Sequence, residues 1–183
     1  MINGTKRSFK NTREAINAGI AYVTEDRKGD GLFLIQDIKQ NISVANLQAI
    51  SAQGMININE EVKISNEYKK SLNIKAPSVE QLVGNLSGGN QQKVSLGKWL
   101  FVGPTLLILD EPTRGIDVGA KFEIYTIMNK LISEGMSIIM ISSELPEVLG
   151  MSDRLYVMAE GRIKGELTAQ EADQEKIMKL ATQ

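Results

Sequence analysis

Residues 86–94 read LSGGNQQKV, and their order predicts a helix start suited to an anion. Ser87 is a natural N-cap, while Gly88 and Gly89 leave the backbone open to close approach by a phosphate. The residues from Gln91 onward would form the first turn of a helix whose amides point outward unpaired. A Ser-Gly-Gly sequence alone also fits an ordinary capped helix with a glycine-rich beginning, so the string needs support from elsewhere in the chain.

Residues 106–117 read LLILDEPTRGID and place two carboxylates directly after an apolar run. The run at 106–109 does not alternate, which is typical of a strand in a parallel sheet covered on both faces. Asp110 and Glu111 would then lie at the C-terminal tip of a central strand, where open α/β sheets bind ligands. Acidic residues after a strand also serve as loop solvation or as the N-cap of the next helix, and the pair alone does not separate these roles.

Apolar runs at residues 20–23 and 138–141 predict two further strands. Between residues 122 and 132 apolar side chains recur at helical spacing, and Gly135 supplies a stop, which predicts a β-α-β unit. A hairpin turning at Glu160-Gly161, followed by a helix near residues 171–181, is expected to close the fold.

The remaining segments divide the chain into three predicted parts. Residues 1–36 are expected to be a remnant of an α/β core, with a loop at 24–31, and residues 102–183 the rest of that core. Residues 37–101 have a helical pattern without a comparable strand, with Asn59 as the predicted N-cap of a helix over 60–72 and Pro77 as a break. The predicted fold class is therefore α/β, with a parallel sheet core, an inserted helical subdomain and a C-terminal β-hairpin plus helix.

Composition excludes several function classes. Lys and Arg number 21 against 22 Asp and Glu, so the chain has no basic field that would concentrate a nucleic acid. There is no cysteine or histidine, so hydrolytic chemistry would rest on carboxylates, hydroxyls and backbone amides. The apolar runs fall short of the roughly 20 residues that span a bilayer, and the first seven residues lack the apolar stretch of a signal peptide.

The strings at 86–94 and 106–111 together resemble the signature motif and Walker B strand of the ATP-binding cassette (ABC) family. The resemblance implies a partial P-loop NTPase fold that works with ATP and Mg²⁺. In the family pattern Asp110 orders Mg²⁺, usually through water, and Glu111 polarises the attacking water. Glu25 stands where the family normally has the Q-loop glutamine and can also approach Mg²⁺, whereas Asp117 would lie in the D-loop between two cassettes.

The same resemblance assigns Ser87, Gly88, Gly89 and Gln91 to the nucleotide, which the opposite cassette's P-loop would hold. Most cassettes also carry a switch histidine after the strand at 138–141, and here Ser143 occupies that position. A hydroxyl cannot carry an imidazolium charge toward a γ-phosphate, so a site that depends on it is expected to turn over slowly.

The strings at 86–94 and 109–121 look more closely like the second cassette of tandem-cassette monosaccharide importers of the ribose/galactose type. Residues 122–125 and 142–147 extend the similarity toward the galactose and methyl-galactoside branch. This implies a partner cassette, a membrane permease and, indirectly, a sugar-binding protein, at the cytoplasmic face of the membrane, with no nucleic-acid partner.

No segment fits the P-loop pattern Gly-x-x-x-x-Gly-Lys-Ser/Thr, whose amides and lysine cradle phosphates. The nearest candidate, residues 115–121, has the wrong glycine spacing and follows the Walker B strand. In the family the P-loop precedes the strand at 20–23, so we expect a partial cassette that is inactive alone. Two alternatives stay open: a non-catalytic regulatory or dimerisation half, and a non-transport ABC ATPase, which the short helical insert disfavours.

Overall fold

The computed structural model describes residues 4–182, and the chain divides into two compact units, Met1–Ile139 and Met140–Gln183. The first unit contains α1 (Thr12–Asn17), β1 (Ile20–Val23), α2 (Ile38–Ser43), β2 (Ser51–Ala52), β3 (Met55–Ile56), α3 (Ile58–Ser71), α4 (Gly88–Leu100), β4 (Leu106–Asp110), α5 (Val118–Ser133) and the start of β5 (Ser137–Ile141). The second contains the end of β5, α6 (Leu145–Met151), β6 (Arg154–Ala159), β7 (Arg162–Thr168) and α7 (Gln174–Ala181). Among residues 4–182 no helix is long and apolar enough to cross a bilayer.

The main sheet has the order β1-β4-β5, with β1 parallel to β4 and Ile20 opposite Leu106. The strands predicted at 20–23, 106–109 and 138–141 are confirmed. On one face the side chains of these strands are buried: Ala21, Val23, Leu107 and Leu109. On the other face Tyr22 is 44% exposed, and Leu106 and Ile108 are half-buried. The expectation that β4 is buried on both faces is therefore met in full on one face only.

Helix α4 is the centre of the first unit and packs against β1, α2, α3 and α5. It follows a single-turn 3₁₀ helix (Val83–Asn85), and most of its residues are buried. Helix α3 begins at a different residue from the predicted one. Asn57 caps it by accepting hydrogen bonds from the amides of Asn59 and Glu60, because the chain arrives at Asn57 in an extended conformation.

The helical region also contains a short antiparallel ribbon, β2-β3, which no sequence pattern predicted. Its turn residues, Gln53 and Gly54, both have positive φ angles. The segment predicted as a loop at 24–31 contains a π-helical turn, Arg27–Gly31, in which the Asp26 carboxylate accepts from the amides of Lys28 and Gly29.

Helix α5 confirms the helical spacing of residues 122–132, and Gly135 with φ of 93° follows its end. The predicted apolar stripe is met in part: Met128 is buried as expected, whereas Phe122 is 71% exposed and Ile124, outside the stripe, is buried.

The second unit confirms the predicted hairpin and terminal helix. Strands β6 and β7 pair antiparallel, and α7 begins after Asp173, whose side chain accepts from the amide of Lys176. Leu155, Val157 and Ile177 form its small apolar core. The three-part division at 36 and 101 stays a prediction; its outermost residues, 1–3 and 183, lie outside the described residues.

Candidate functional site

The tip of β4 carries the first predicted carboxylate, and a tyrosine of the neighbouring strand fixes it. Because Tyr22 lies opposite Ile108, its side chain and that of Asp110 lie on the same face of the sheet. The Tyr22 hydroxyl donates a hydrogen bond to Asp110 Oδ2 at 2.7 Å. This bond to the carboxylate raises the pKa of Tyr22, because ionising the phenol would leave two negative groups facing each other.

Glu111 follows in a left-handed backbone conformation, with φ of 46°. Such a conformation costs a non-glycine residue about 1–2 kcal/mol. It turns the chain away from the strand, and the amide of Arg114 donates to the carbonyl of Glu111 at 3.1 Å to close the turn. Backbone strain of this kind clusters at functional sites. Neither acidic residue caps a helix; that role belongs to Asp117.

Glu25 lies in the loop after β1 and forms an ion pair with Arg114. The pair joins the predicted Q-loop position to the segment directly downstream of Glu111. Both side chains are partly exposed, at 43% for Glu25 and 67% for Arg114. The structure thus brings Glu25, Asp110 and Glu111 to one edge of the sheet, on strands β1 and β4 or the loops that follow them.

The start of α4 is capped as predicted. The amide of Asn90 donates to Ser87 Oγ at 3.5 Å, and the Asn90 side-chain amide donates to the same oxygen at 2.9 Å. Packing inside the fold also requires that Gly88 and Gly89 have no side chain, which the sequence did not reveal. A Cβ on Gly88 would lie 2.9 Å from Arg27 Nη2, and one on Gly89 would lie 2.5 Å from Ala120 Cβ. Their small size therefore allows the segment after β4 to pack against the start of α4.

The side chain of Gln91 does not face this surface. It is 4% exposed, and its Nε2 donates to the carbonyl of Val83 at 3.1 Å. The assignment of Gln91 to a nucleotide therefore cannot rest on its side chain and stays a prediction. Asn90, one residue earlier, is only half-buried and has the outward position.

Asp117 caps α5, its Oδ1 accepting from the amide of Ala120 at 2.9 Å. It lies beside the start of α4, because both helix starts open into one pocket of about 200 Å³. The pocket brings together three of the predicted residues, Ser87, Gly89 and Asp117; it is lined also by Lys75, Asn90, Lys93, Gly119, Ala120 and Glu123.

Ser143 lies in the second unit, between β5 and α6. Its neighbour Ser142 donates from Oγ to Glu147 Oε2 at 2.5 Å, and Glu147 is buried. The proposed role of Ser143 as the substitute for a switch histidine stays a prediction.

The residues of the candidate site fit a phosphate anion and a hydrated magnesium ion that arrive as one complex. Within residues 4–182 no group of three or more acidic, histidine or cysteine side chains could hold a metal. Magnesium in phosphate-transfer sites is usually held by one or two carboxylates and by substrate phosphates, so Asp110 and Glu25 suit an ion that arrives with a nucleotide. At the α4 start, the helix amides provide the positive environment that a phosphate needs.

The sequence did not predict the roles of Tyr22 and Arg27. Tyr22 donates a hydrogen bond to Asp110, 88 residues later in the chain, and Arg27 donates one to Arg114, 87 residues later. Tyr22 could have been found from the strand register, since parallel neighbours place alternate side chains on one face. Nothing in the sequence pattern signals the contacts of Arg27.

The sequence profile of the ABC transporter family matches residues 1–114. The chain is 57% identical over 180 residues to the L-arabinose transport ATP-binding protein AraG of Geobacillus stearothermophilus. It is 56% identical over 181 residues to the xylose import ATP-binding protein XylG of Thermoanaerobacter pseudethanolicus, and 54% over 181 to the ribose import ATP-binding protein RbsA of Bacillus subtilis. The chain spans only 35%, 36% and 37% of the length of these relatives.

Solved structures share the fold. A nucleotide-free ATP-binding cassette from an ABC transporter matches with a TM-score of 0.70 at 21% identity, covering 93% of this chain and 67% of that one. A dimeric cassette bound to ADP and phosphate matches with a TM-score of 0.72 at 18% identity, over 88% of this chain and 68% of that one. The profile match, over more than half of the chain, and the shared fold lead to one conclusion: this chain belongs to the ABC transporter family and has the fold of its ATP-binding cassettes.

Proposed function

We propose that the chain is part of the ATP-hydrolysing subunit of a monosaccharide importer, as the second of two tandem cassettes. The observation that carries the proposal is the identity of 54–57% over nearly the whole chain to relatives named for arabinose, xylose and ribose import. All three sugars are pentoses, which favours a pentose as the cargo. The galactose branch suggested by residues 122–125 and 142–147 stays a prediction.

The strand tip provides the hydrolytic groups in this proposal. Tyr22 holds the Asp110 carboxylate in place by its hydrogen bond, so that Asp110 can order the water shell of a magnesium ion. Bound magnesium would neutralise charge on the phosphates. Glu111 is the general base for the attacking water, because its carboxylate follows directly on β4 and its backbone turns it out of the strand.

The start of α4 serves a nucleotide bound elsewhere. A helix start stabilises a nearby anion by about 0.3–1 kcal/mol, or about 2 kcal/mol when partly buried. Even millimolar affinity requires about 4 kcal/mol. Ser87, Gly88 and Gly89 therefore cannot retain ATP unaided, and we assign them to cover the phosphates of a nucleotide held by the P-loop of a partner cassette, with Asp117 at the junction.

The proposal implies three kinds of partner. A second cassette supplies the P-loop opposite residues 87–89, a membrane permease receives the conformational change, and a sugar-binding protein delivers cargo to that permease. The assembly would lie peripherally at the cytoplasmic face of the membrane. Sugar choice would reside in the permease and the binding protein.

The test is ATP hydrolysis by the intact protein that contains this chain, reconstituted with its permease. Glu111→Gln keeps the shape of the side chain and removes the base, so we expect kcat to fall at least about 100-fold. Glu134→Gln is the matched control, because Glu134 is 57% exposed at the far end of α5 and pairs with the equally exposed Lys130 at 3.8 Å. Unchanged hydrolysis by the Glu111→Gln protein would contradict the assigned role.

A second function, a non-catalytic regulatory or dimerisation half, is favoured by one observation: the chain contains no histidine, and Ser143 stands at the switch position. In that case Glu111→Gln leaves the hydrolysis rate of the intact protein unchanged, whereas substitutions at the α4 start still weaken the association of cassettes. The two functions thus give opposite results in the same assay.

A further inference from the structure

Arg27 lies between the start of α4 and the segment after β4. Its Nη1 donates to the carbonyl of Arg114 at 2.8 Å, and its Nη2 donates to the carbonyl of Gly115 at 3.2 Å. The same Nη2 lies 2.9 Å from the position that a Cβ on Gly88 would occupy. One guanidinium therefore hydrogen-bonds to the segment after β4 and lies beside the start of α4.

The turn that carries Arg27 is held at both ends. At its beginning Asp26 accepts hydrogen bonds from the amides of Lys28 and Gly29. At its end the carbonyl of Gly31 accepts from the buried ammonium group of Lys98 on α4 at 2.7 Å. This anchoring holds the backbone at Arg27 and so restricts the positions its side chain can reach. Its two hydrogen bonds therefore form without a large loss of entropy.

The surroundings of Arg27 are unusual for a cation. The side chain is half-buried, its Nε has no hydrogen-bond partner among residues 4–182, and its two hydrogen bonds go to backbone carbonyls. Burial lowers the pKa of the guanidinium, although not enough to neutralise it. Burying a cation costs free energy, so an arginine that served only to keep the surface soluble would stay exposed. The half-buried position of Arg27 therefore indicates a specific role for these contacts.

We propose that Arg27 is a positioning residue that fixes the Arg114–Gly115 backbone, and through it Asp117, relative to Gly88 at the start of α4. The inference rests on the proposed function, in which the α4 start and Asp117 must meet a partner cassette together. Gly115 has a φ of 66°, and the guanidinium fork satisfies its carbonyl and the preceding one at once. Lysine cannot reproduce this two-carbonyl geometry.

The test uses the intact protein with Arg27→Lys, Arg27→Met and the control Lys28→Met. Lys28 is an exposed cation next in sequence, so the control removes the same charge without the two carbonyl contacts. Hydrogen exchange is followed by mass spectrometry in peptides covering residues 86–90, 113–118 and 106–109. Loss of charge-assisted hydrogen bonds is expected to speed exchange about tenfold in the first two peptides and not in the third. Lys28→Met should match the parent protein in all three.

Hydrolysis kinetics supply the second readout. Arg27→Lys and Arg27→Met are expected to lower kcat about tenfold, while KM for ATP and the thermal midpoint stay close to those of the parent. Faster exchange throughout, including residues 106–109, would overturn the inference, because it would mark a general loss of stability. Unchanged exchange at 86–90 and 113–118 would overturn it as well. If the parent protein hydrolyses no ATP, the proposed function fails, and the exchange experiment still decides whether Arg27 positions these segments.

Discussion

Gly89, at the start of α4, allows the start of α5 to pack closely against that helix. Its missing side chain is what allows Ala120 to approach, since any Cβ would lie 2.5 Å from Ala120 Cβ. We expect Gly89→Ala to lower the free energy of unfolding by about 1–3 kcal/mol, the usual cost of overpacking, as measured by urea denaturation of the intact protein.

Two variants check that steric overlap is the cause. Ala120→Gly in the Gly89→Ala background should restore most of the lost stability, because it removes the opposing methyl group. Gly150→Ala is the control for the glycine change itself: it lies in α6, has nothing within 4 Å of its added Cβ, and should be neutral or stabilising. A Gly89→Ala protein as stable as its parent would show that the two helix starts separate freely.

The residue scale also shows what a sequence can and cannot predict. Ser87 as a cap and the acidic pair after β4 follow from local rules, because capping and strand ends involve residues close in the chain. The Tyr22 to Asp110 bond joins residues 88 apart, so it depends on the parallel register of β1 and β4. The buried side chain of Gln91 could not be predicted, because a string of polar residues hides which face of the helix is buried.

At the scale of elements, α4 and α5 are joined by a small ionic cluster. Lys93, 1% exposed, donates to the carbonyl of Asn73 at 2.8 Å and forms an ion pair with Glu123 on α5. Lys75 approaches the other Glu123 oxygen at 3.4 Å from a mostly exposed position. The hydrogen bond from Lys93 holds the pKa of the Glu123 carboxyl below its ordinary value of 4.5.

The lowered pKa of Glu123 gives a stability that depends on pH. Because the folded state favours the ionised carboxyl, its contribution is present above about pH 4.5 and is lost as the pH falls through the lower, folded pKa. We expect Glu123→Gln to cost about 1–3 kcal/mol in the free energy of unfolding at pH 7, because buried Lys93 loses its charged partner. The difference from the parent should shrink steadily below pH 4.5.

Denaturation curves of parent and variant between pH 3 and 7 measure this difference. Glu134→Gln, which removes a carboxylate of an exposed pair on the same helix, should change stability by less than about 1 kcal/mol at every pH. A constant gap between the parent and Glu123→Gln across that range would mean that the ion pair contributes nothing.

Elements with strong periodicity were predicted well. The strands at 20–23 and 106–109, the helix at α5 and the C-terminal hairpin follow from continuous or periodic apolar patterns. The β2-β3 ribbon could not be predicted from such patterns, since two-residue strands carry no periodicity and Gln53 is an unusual residue for a positive φ angle. The cap of α3 was placed at Asn59 because Asn57 and Asn59 are equally good caps in sequence, and only the chain direction out of β3 distinguishes them.

At the scale of the whole molecule, the described surface joins an acidic strand tip to two helix starts without a phosphate-holding loop. The pattern for such a loop is absent from the sequence, and the chain spans about a third of its curated relatives' length. The fold class followed from the sequence because motif order and apolar runs define an α/β core. The unequal burial of the two faces of β4 could not be predicted, since a continuous apolar run gives no indication of which side is more buried.

The central claim is that these residues cover a nucleotide and do not hold one, and titration calorimetry of the 183-residue chain with Mg·ATP tests it most directly. The α4 start supplies at most about 2 kcal/mol toward an anion, well short of the about 4 kcal/mol that millimolar affinity requires. The account predicts no saturable heat at ATP concentrations up to about 1 mM. Saturable binding with micromolar affinity would contradict it, because the described residues would then form a complete nucleotide site.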